Sequence, residues 1–344
     1  MYCMVRSNNI MSAEDRLAYM YFYYFDTAIK TMYGSRIKVV DADITNAEEL
    51  EELEKQDINT VINCAAVVKH FAAGTIIEDV NVGGAQNLID FCLRTGAALI
   101  QTSTMSVLNS AYKEDLAEGF VPDEQTLYFG QILDNKYIHS KFLAERAVLE
   151  AAAAKGLHAK IMRLGNLAAR HSDGEFQINS DTNSAMGRIK AFAMLGCAAY
   201  DQLDNTMEFS PIDAVAKAIV LLSATPDECR VFHVFNDQRI SLCSIFSELT
   251  KCGYPISFVE RDEFARVFAE AQNDPAKART LTSIMAYVQS AGGREIVRLN
   301  RTCAYTLQIL YRLGFSWPFT TWDYISRFVK ALTGLGFFSE EDEF

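Results

Sequence analysis

The sequence predicts an α/β fold, a doubly wound parallel sheet carrying a smaller, mainly helical lid. Three observations predict it. Over the first two-thirds, short β-branched runs alternate with amphipathic helical stretches, the pattern of βαβ units around a parallel sheet. Half of the 344 residues are hydrophobic and 22% are charged, enough to bury a sizeable core and too apolar for a disordered chain. After about residue 169 the alternation stops. A mixed polar stretch follows, then mainly helical, aromatic sequence holding both tryptophans, Trp317 and Trp322.

Taken in order, the β-branched runs predict strands at 2–6, 37–41, 59–63, 98–103 and 158–163. Between them, helices are predicted near 12–32, 46–55, 75–95 and 134–155. The last of these ends in an alanine-rich stretch to Lys155, with Gly156 as its stop. Asp173-Gly174 and the run Asp201 to Asn205 are turn signals. Phe209-Ser210-Pro211-Ile212-Asp213 opens a further helix whose Ala214–Leu222 stretch is apolar on one side. The division expected is a core domain at 1–168, to which 207–236 returns, with a lid at 169–206 and 237–344. Glu340 to Glu343 reads as a solvated acidic tail. The aromatic run Tyr19 to Phe25 reads as a core face or as a surface packed on a neighbouring domain.

Composition excludes several function classes. The net charge of −12 argues against duplex nucleic-acid binding, which needs basic stripes. No apolar run approaches the ~18–20 residues of a membrane span. The start, Met1 to Arg6, lacks the basic and apolar regions of a secretory signal. Eight scattered cysteines and five histidines show no metal-ligand spacing, so no metal site is expected, and reduced thiols fit a cytoplasmic protein.

A dinucleotide-binding chain usually opens with a strand, a glycine-rich turn and a helix whose N-terminus holds the pyrophosphate. Here the first glycine is Gly34, and the sequence opens on what reads as the second strand.

Three motifs carry chemistry. Tyr137-Ile138-His139-Ser140-Lys141 puts a phenol and an ammonium on one helix face, because i and i+4 are neighbours. A nearby cation favours the phenolate and lowers a pKa normally about 10, which suits a general acid near neutral pH. Thr102-Ser103-Thr104-Met105-Ser106-Val107 places hydroxyls at the carboxyl end of a central strand, where open α/β sheets bind ligands. Asn63-Cys64-Ala65-Ala66 ends the preceding strand with small residues that let a cofactor approach the backbone.

In this order the motifs resemble the extended short-chain dehydrogenase/reductase family, a Rossmann-type fold. The finer signatures resemble its thioester-reductase branch, the terminal reductase domains of nonribosomal peptide synthetases and carboxylic acid reductases. These signatures are Gly130-Gln-Ile-Leu-Asp-Asn-Lys-Tyr-Ile-His-Ser-Lys-Phe-Leu-Ala-Glu145 and Met162-Arg-Leu-Gly-Asn-Leu-Ala-Ala-Arg170. Ser172 to Asn179, Arg188 to Phe192, Glu208 to Asp213, Leu313 to Trp317 and Leu335 to Phe338 agree with them.

The resemblance implies a catalytic trio of Thr104, Tyr137 and Lys141, with Thr104 preferred to Ser103 because it lies three residues before Val107. It implies NADPH as cofactor, with Arg6 facing the 2′-phosphate and Arg16 as a second candidate. Asp43 and Ile44 fall at the adenine side, unless Asp43 caps the helix beginning near Ala47. Asn63, Ala65, Ala66, Tyr137, Lys141 and Asn166 complete the cofactor set. The partner implied is a carrier protein bearing an aminoacyl or peptidyl thioester on a phosphopantetheine arm, and the product an aldehyde or alcohol. The family's Thr-Gly-x-x-Gly-x-x-Gly unit has no counterpart in these residues. The expectation is therefore either a truncated sequence or weakened cofactor affinity. The rival readings are a nucleotide-sugar epimerase or dehydratase, a fatty acyl-CoA reductase, and a non-catalytic remnant.

Overall fold

The computed structural model describes residues 1–68, 74–180, 183–228, 230–284 and 295–338. His70, Cys229 and the acidic tail at 340–343 lie outside them. The chain divides into two compact units, Met1–Ser103 with Asp134–Ile161, and Thr104–Leu133 with Met162–Phe344.

The first unit holds β1 (Tyr2–Val5), β2 (Lys38–Asp41), β3 (Thr60–Asn63), β4 (Ala98–Thr104, whose last residue opens the second unit) and the start of β6 (Ala159–Leu164). Its helices are α1 (Ala13–Phe25), α2 (Ile29–Tyr33), α3 (Ala47–Glu54), α4 (Gly84–Thr95) and α5 (Lys136–Lys155). All five strands fall within a residue of their predicted limits. β3 and β4 pair in parallel, Thr60 opposite Ala98 and Asn63 opposite Gln101, so their carboxyl ends are level. β6 lies on the other side of β4. β4 and β6 are almost wholly buried, as strands of a parallel sheet are when both faces are covered.

β1 and β2 pair in parallel as a separate two-stranded sheet. β3 ends the larger sheet, with Ile62 45% exposed.

Local sequence accounts for the helix ends. Asn46 caps α3 by accepting from Glu48 N, and Asn135 caps α5 by accepting from Ile138 N. Gly156 closes α5 at φ 71°, a left-handed conformation open to glycine, as its position predicted. The helix predicted over 12–32 is in fact two. Asp26 turns left-handed at φ 49° after α1, a conformation its short polar side chain tolerates, and no Gly or Pro marked the break. The helix predicted over 75–95 opens with one α turn at Ile76–Glu78 and widens into a π turn at Asp79–Gly83 before α4. The aromatic run on α1 is not a core face. Of that helix Ala13 is buried, whereas Tyr19, Phe22 and Phe25 are about half exposed, Tyr19 packing on Tyr23 and Phe25 on Tyr21.

The second unit holds β5 (Ser110–Tyr112), the end of β6, β7 (Leu167–Ala168), β8 (Cys197–Ala199), β9 (Thr206–Glu208), β10 (Ser210–Pro211), β11 (Val231–Val234), β12 (Arg239–Ser241), β13 (Ser257–Val259) and β14 (Ile296–Arg298). β11 pairs with β6, and the rest form two-stranded ladders, among them β9 with β12 and β5 with β14. The main helices are α6 (Ser184–Leu195), α7 (Ile212–Ser223), α8 (Leu242–Lys251), α9 (Arg261–Gln272), α10 (Pro275–Leu281), α11 (Ala304–Arg312) and α12 (Trp322–Gly334). Their apolar faces meet in an aromatic core around Phe192, Phe209, Phe246, Phe264 and Phe328. No helix among the described residues is long and apolar enough to cross a membrane.

Candidate active site

In the first unit, the level carboxyl ends of β3 and β4 carry a continuous buried hydrogen-bond network. Asn63 Nδ2 donates to Gln101 Oε1 at 3.0 Å, and Thr102 Oγ1 donates to Asn63 O at 2.8 Å. Asn63 Oδ1 accepts from Ala65 N at 3.0 Å and so shapes the turn leaving β3. Ala65 on that turn is exposed and Ala66 half-buried, leaving its backbone open to an approaching ligand.

Lys141 joins this network. It lies on the second turn of α5, is 3% exposed, and its Nζ donates to Thr102 O at 2.6 Å. Burial drives its pKa down to about 8, against the opposing pull of Glu145 and Cys64. Tyr137, one turn earlier on the helix, is half-buried, and its carbonyl accepts from Ser140 Oγ at 2.7 Å. Thus the structure ties Lys141 to β4 and keeps the Tyr137/Lys141 pair on one face of α5.

A residue without an assigned role in the sequence analysis holds the assembly together. Asn81, in the wide turn before α4, accepts from Val67 N at 2.8 Å and donates to Val67 O at 3.0 Å and Ser140 Oγ at 2.9 Å. It is 4% exposed and spends its amide on joining the β3 loop to α5. The one signal for it in the sequence was an asparagine between two valines in a helical stretch.

Elsewhere in the same unit, three predicted cofactor residues come together. Arg6 pairs with Asp43 at 2.9 Å, and Arg16 donates to Arg6 O. The Arg6 side chain is 61% exposed, so it can still meet a ligand. Asp43 does not cap α3, which Asn46 does; its Oδ1 accepts from Thr45 N and Oγ1 instead. Burial works to raise the Asp43 pKa, but the bonds from Thr45 and Arg6 outweigh it and hold the carboxyl below its ordinary range. Ile44 is buried against Gly84, where a Cβ would stand 2.5 Å from Ile44 Cδ1, and its carbonyl accepts from Asn87.

In the second unit, Thr104 is half-buried and its Oγ1 accepts from Ser106 N at 3.1 Å, which leaves the hydroxyl proton to donate. Ser103 Oγ is buried with no partner. Thr104 is therefore the hydroxyl better presented to a ligand. Asn166 donates its backbone N–H to the buried Glu208 carboxylate and its side-chain amide to Glu208 O.

In the first unit, the exposed Arg6 guanidinium can pair with an anionic group such as a phosphate, and the Lys141 ammonium can donate to a hydroxyl.

Comparison with known proteins agrees. Residues 1–219 match the NAD-binding family described as male sterility protein. A thiolation-reductase di-domain from an archaeal non-ribosomal peptide synthetase is 38% identical, with a TM-score of 0.87 over 98% of this chain and 70% of that one. The terminal R domain of the myxalamid PKS-NRPS pathway shares the fold at 22% identity and a TM-score of 0.79, over 99% of this chain and 85% of that one. Among curated proteins, glycine betaine reductase ATRR of Emericella nidulans is 27% identical over 62% of this chain and 16% of its own length. The L-2-aminoadipate reductase large subunit of Candida glabrata is 23% identical over 75% of this chain and 20% of its own. The chain thus spans a fifth or less of the length of these two relatives. With its Tyr-x-x-x-Lys helix, level strand ends and parallel sheet, the chain belongs to the NAD-binding male sterility protein family.

Proposed function

We propose that this chain is an NADPH-dependent thioester reductase that releases an acyl or peptidyl group from a carrier protein's phosphopantetheine arm as an aldehyde. The observation that carries this reading is Lys141, buried beside the end of β4 on the same helix face as Tyr137. The likeness to a thiolation-reductase di-domain at 38% identity supports the substrate class.

When bound, NADPH supplies the hydride. Thr104 donates its uncommitted hydroxyl proton as a hydrogen bond to the thioester oxygen while negative charge develops there. Tyr137 gives that oxygen its phenolic proton, and the Lys141 ammonium stabilises the phenolate left behind. The resulting hemithioacetal loses the carrier thiol to give the aldehyde. On the cofactor side, Arg6 faces the 2′-phosphate with Arg16 behind it, and Asp43 and Ile44 border the adenine. Asn63, Ala65 and Ala66 let the cofactor lie close to the backbone, and Asn166 borders the nicotinamide.

The test is NADPH oxidation on adding an aminoacyl-pantetheine thioester. Thioester-dependent turnover is expected, and Tyr137→Phe should lower it by about 10²–10⁴-fold. Full turnover in that variant would sink the reading. Turnover of a nucleotide sugar in place of a thioester would transfer the chain to the epimerase reading.

A further inference from the structure

Apart from the residues already described, the second unit holds a cavity of about 210 Å³ where β12, α8 and α12 begin or end. Its polar wall is Arg239, Ser241, Ser244, Thr320 and Thr321, with Trp322 beside them. No carboxylate lines it; Asp323, next to Trp322 in the chain, is exposed and lies outside the lining.

The wall offers hydrogen-bond donors and no anion to take them. Thr320 is 7% exposed. Its Oγ1 accepts from Asn236 Nδ2 at 3.4 Å, and its N donates to Gln238 Oε1 at 3.1 Å. Asn236 is itself fully buried and donates its N–H to Ser210 Oγ at 2.9 Å. Thr320 is therefore held in place while its hydroxyl proton is left to give. Thr321 precedes α12, and its side chain caps no N–H of that helix. Ser241 Oγ accepts from Ser244 N at 3.2 Å and shares one hydrogen bond with Ser244 Oγ at 2.8 Å, so one of these two hydroxyl protons remains to donate. Arg239 is exposed and, among the described residues, makes no hydrogen bond or ion pair. Glu208, opposite it in the β9/β12 ladder, has committed its carboxylate to Asn166 N and Ser210 Oγ.

Donors drawn partly out of water need acceptors, and one anion with several oxygens can serve them all. A guanidinium fork flanked by hydroxyls from separate segments suits a tetrahedral phosphoryl group, with three or more oxygens, better than a planar carboxylate with two. We propose that this cavity is a phosphoryl-binding site. Arg239 pairs with the phosphate, while Thr320, Thr321 and one of Ser241 and Ser244 donate to its oxygens. The phosphoryl group comes either as free phosphate or as the monoester of a small molecule. The site shares no residue with the proposed catalytic and cofactor set, so it does not rest on the reductase reading.

The experiment titrates the full chain with inorganic phosphate, glycerol 3-phosphate and succinate at constant ionic strength, without NADPH or thioester. Calorimetry reads the heat, and tryptophan fluorescence reads Trp322 at the cavity wall. Saturable binding of phosphate or glycerol 3-phosphate is expected, with Kd below roughly 1 mM and succinate at least about tenfold weaker. The fluorescence change should share the calorimetric midpoint and vanish in Trp322→Phe, which keeps the heat. Arg239→Gln and Thr321→Val, both at exposed positions, should each weaken binding about tenfold with the urea midpoint unchanged. Arg266→Gln, on α9 and paired there with Glu263 and Glu270, should bind as the parent does. Tighter binding of glycerol 3-phosphate would assign an esterified ligand, and tighter binding of phosphate the free ion. The proposal is overturned if neither binds saturably, if succinate binds as tightly as they do, or if Arg239→Gln and Thr321→Val bind like the parent. Failure of the reductase assay would not affect this result.

Discussion

Lys141 is protonated below a pKa of about 8 and buried, and both facts have measurable consequences. An unfolded lysine titrates near 10.4, so between about 8 and 10.4 the unfolded chain holds a proton that the folded chain has released. Stability contributed at this site therefore rises with pH across that window. The buried thiols of Cys92 and Cys303, raised to about 12, act in the opposite direction above pH 9. A comparison with Lys141→Met isolates the lysine. From pH 8 to 10.4, the parent's stability should gain on the variant's by on the order of 3 kcal/mol, read from urea unfolding. A constant difference across that range would mean that Lys141 is not desolvated as the structure has it.

At the scale of elements, the site depends on how α5 is fastened to the β3 loop. Asn81 makes that junction with three hydrogen bonds, from a wide turn that gives its side chain the reach an ideal helix would not. Asn81→Leu keeps the volume but leaves Val67 N and O and Ser140 Oγ short of partners. Each buried group left unsatisfied costs ~1–3 kcal/mol, and relaxation of the loop recovers part of the total. A net loss of about 2–4 kcal/mol is expected in the urea midpoint. A loss under about 0.5 kcal/mol would show that the loop and helix hold without it.

For the whole molecule, the open edges of β1 and β3 and the half-exposed aromatic residues of α1 belong to the same unit. Unpaired strand edges and exposed apolar clusters both favour association between copies. Sedimentation of the isolated chain should show concentration-dependent self-association, and Phe22→Ser with Phe25→Ser should reduce it. A monodisperse monomer at high concentration would contradict that expectation.

Much of this was legible in the sequence because it is written in local periodicity. The five strands of the first unit, the Gly156 stop and the Tyr137/Lys141 face follow from spacing of two or about 3.6 residues, which any window of chain displays. The break at Asp26 was not legible, because a left-handed aspartate leaves no Gly or Pro signal. Nor was the clasp by Asn81 or the choice of Thr102 O as partner of Lys141. These unite residues 14 to 59 positions apart, and only the closed tertiary structure decides which distant polar groups lose water together and must satisfy one another.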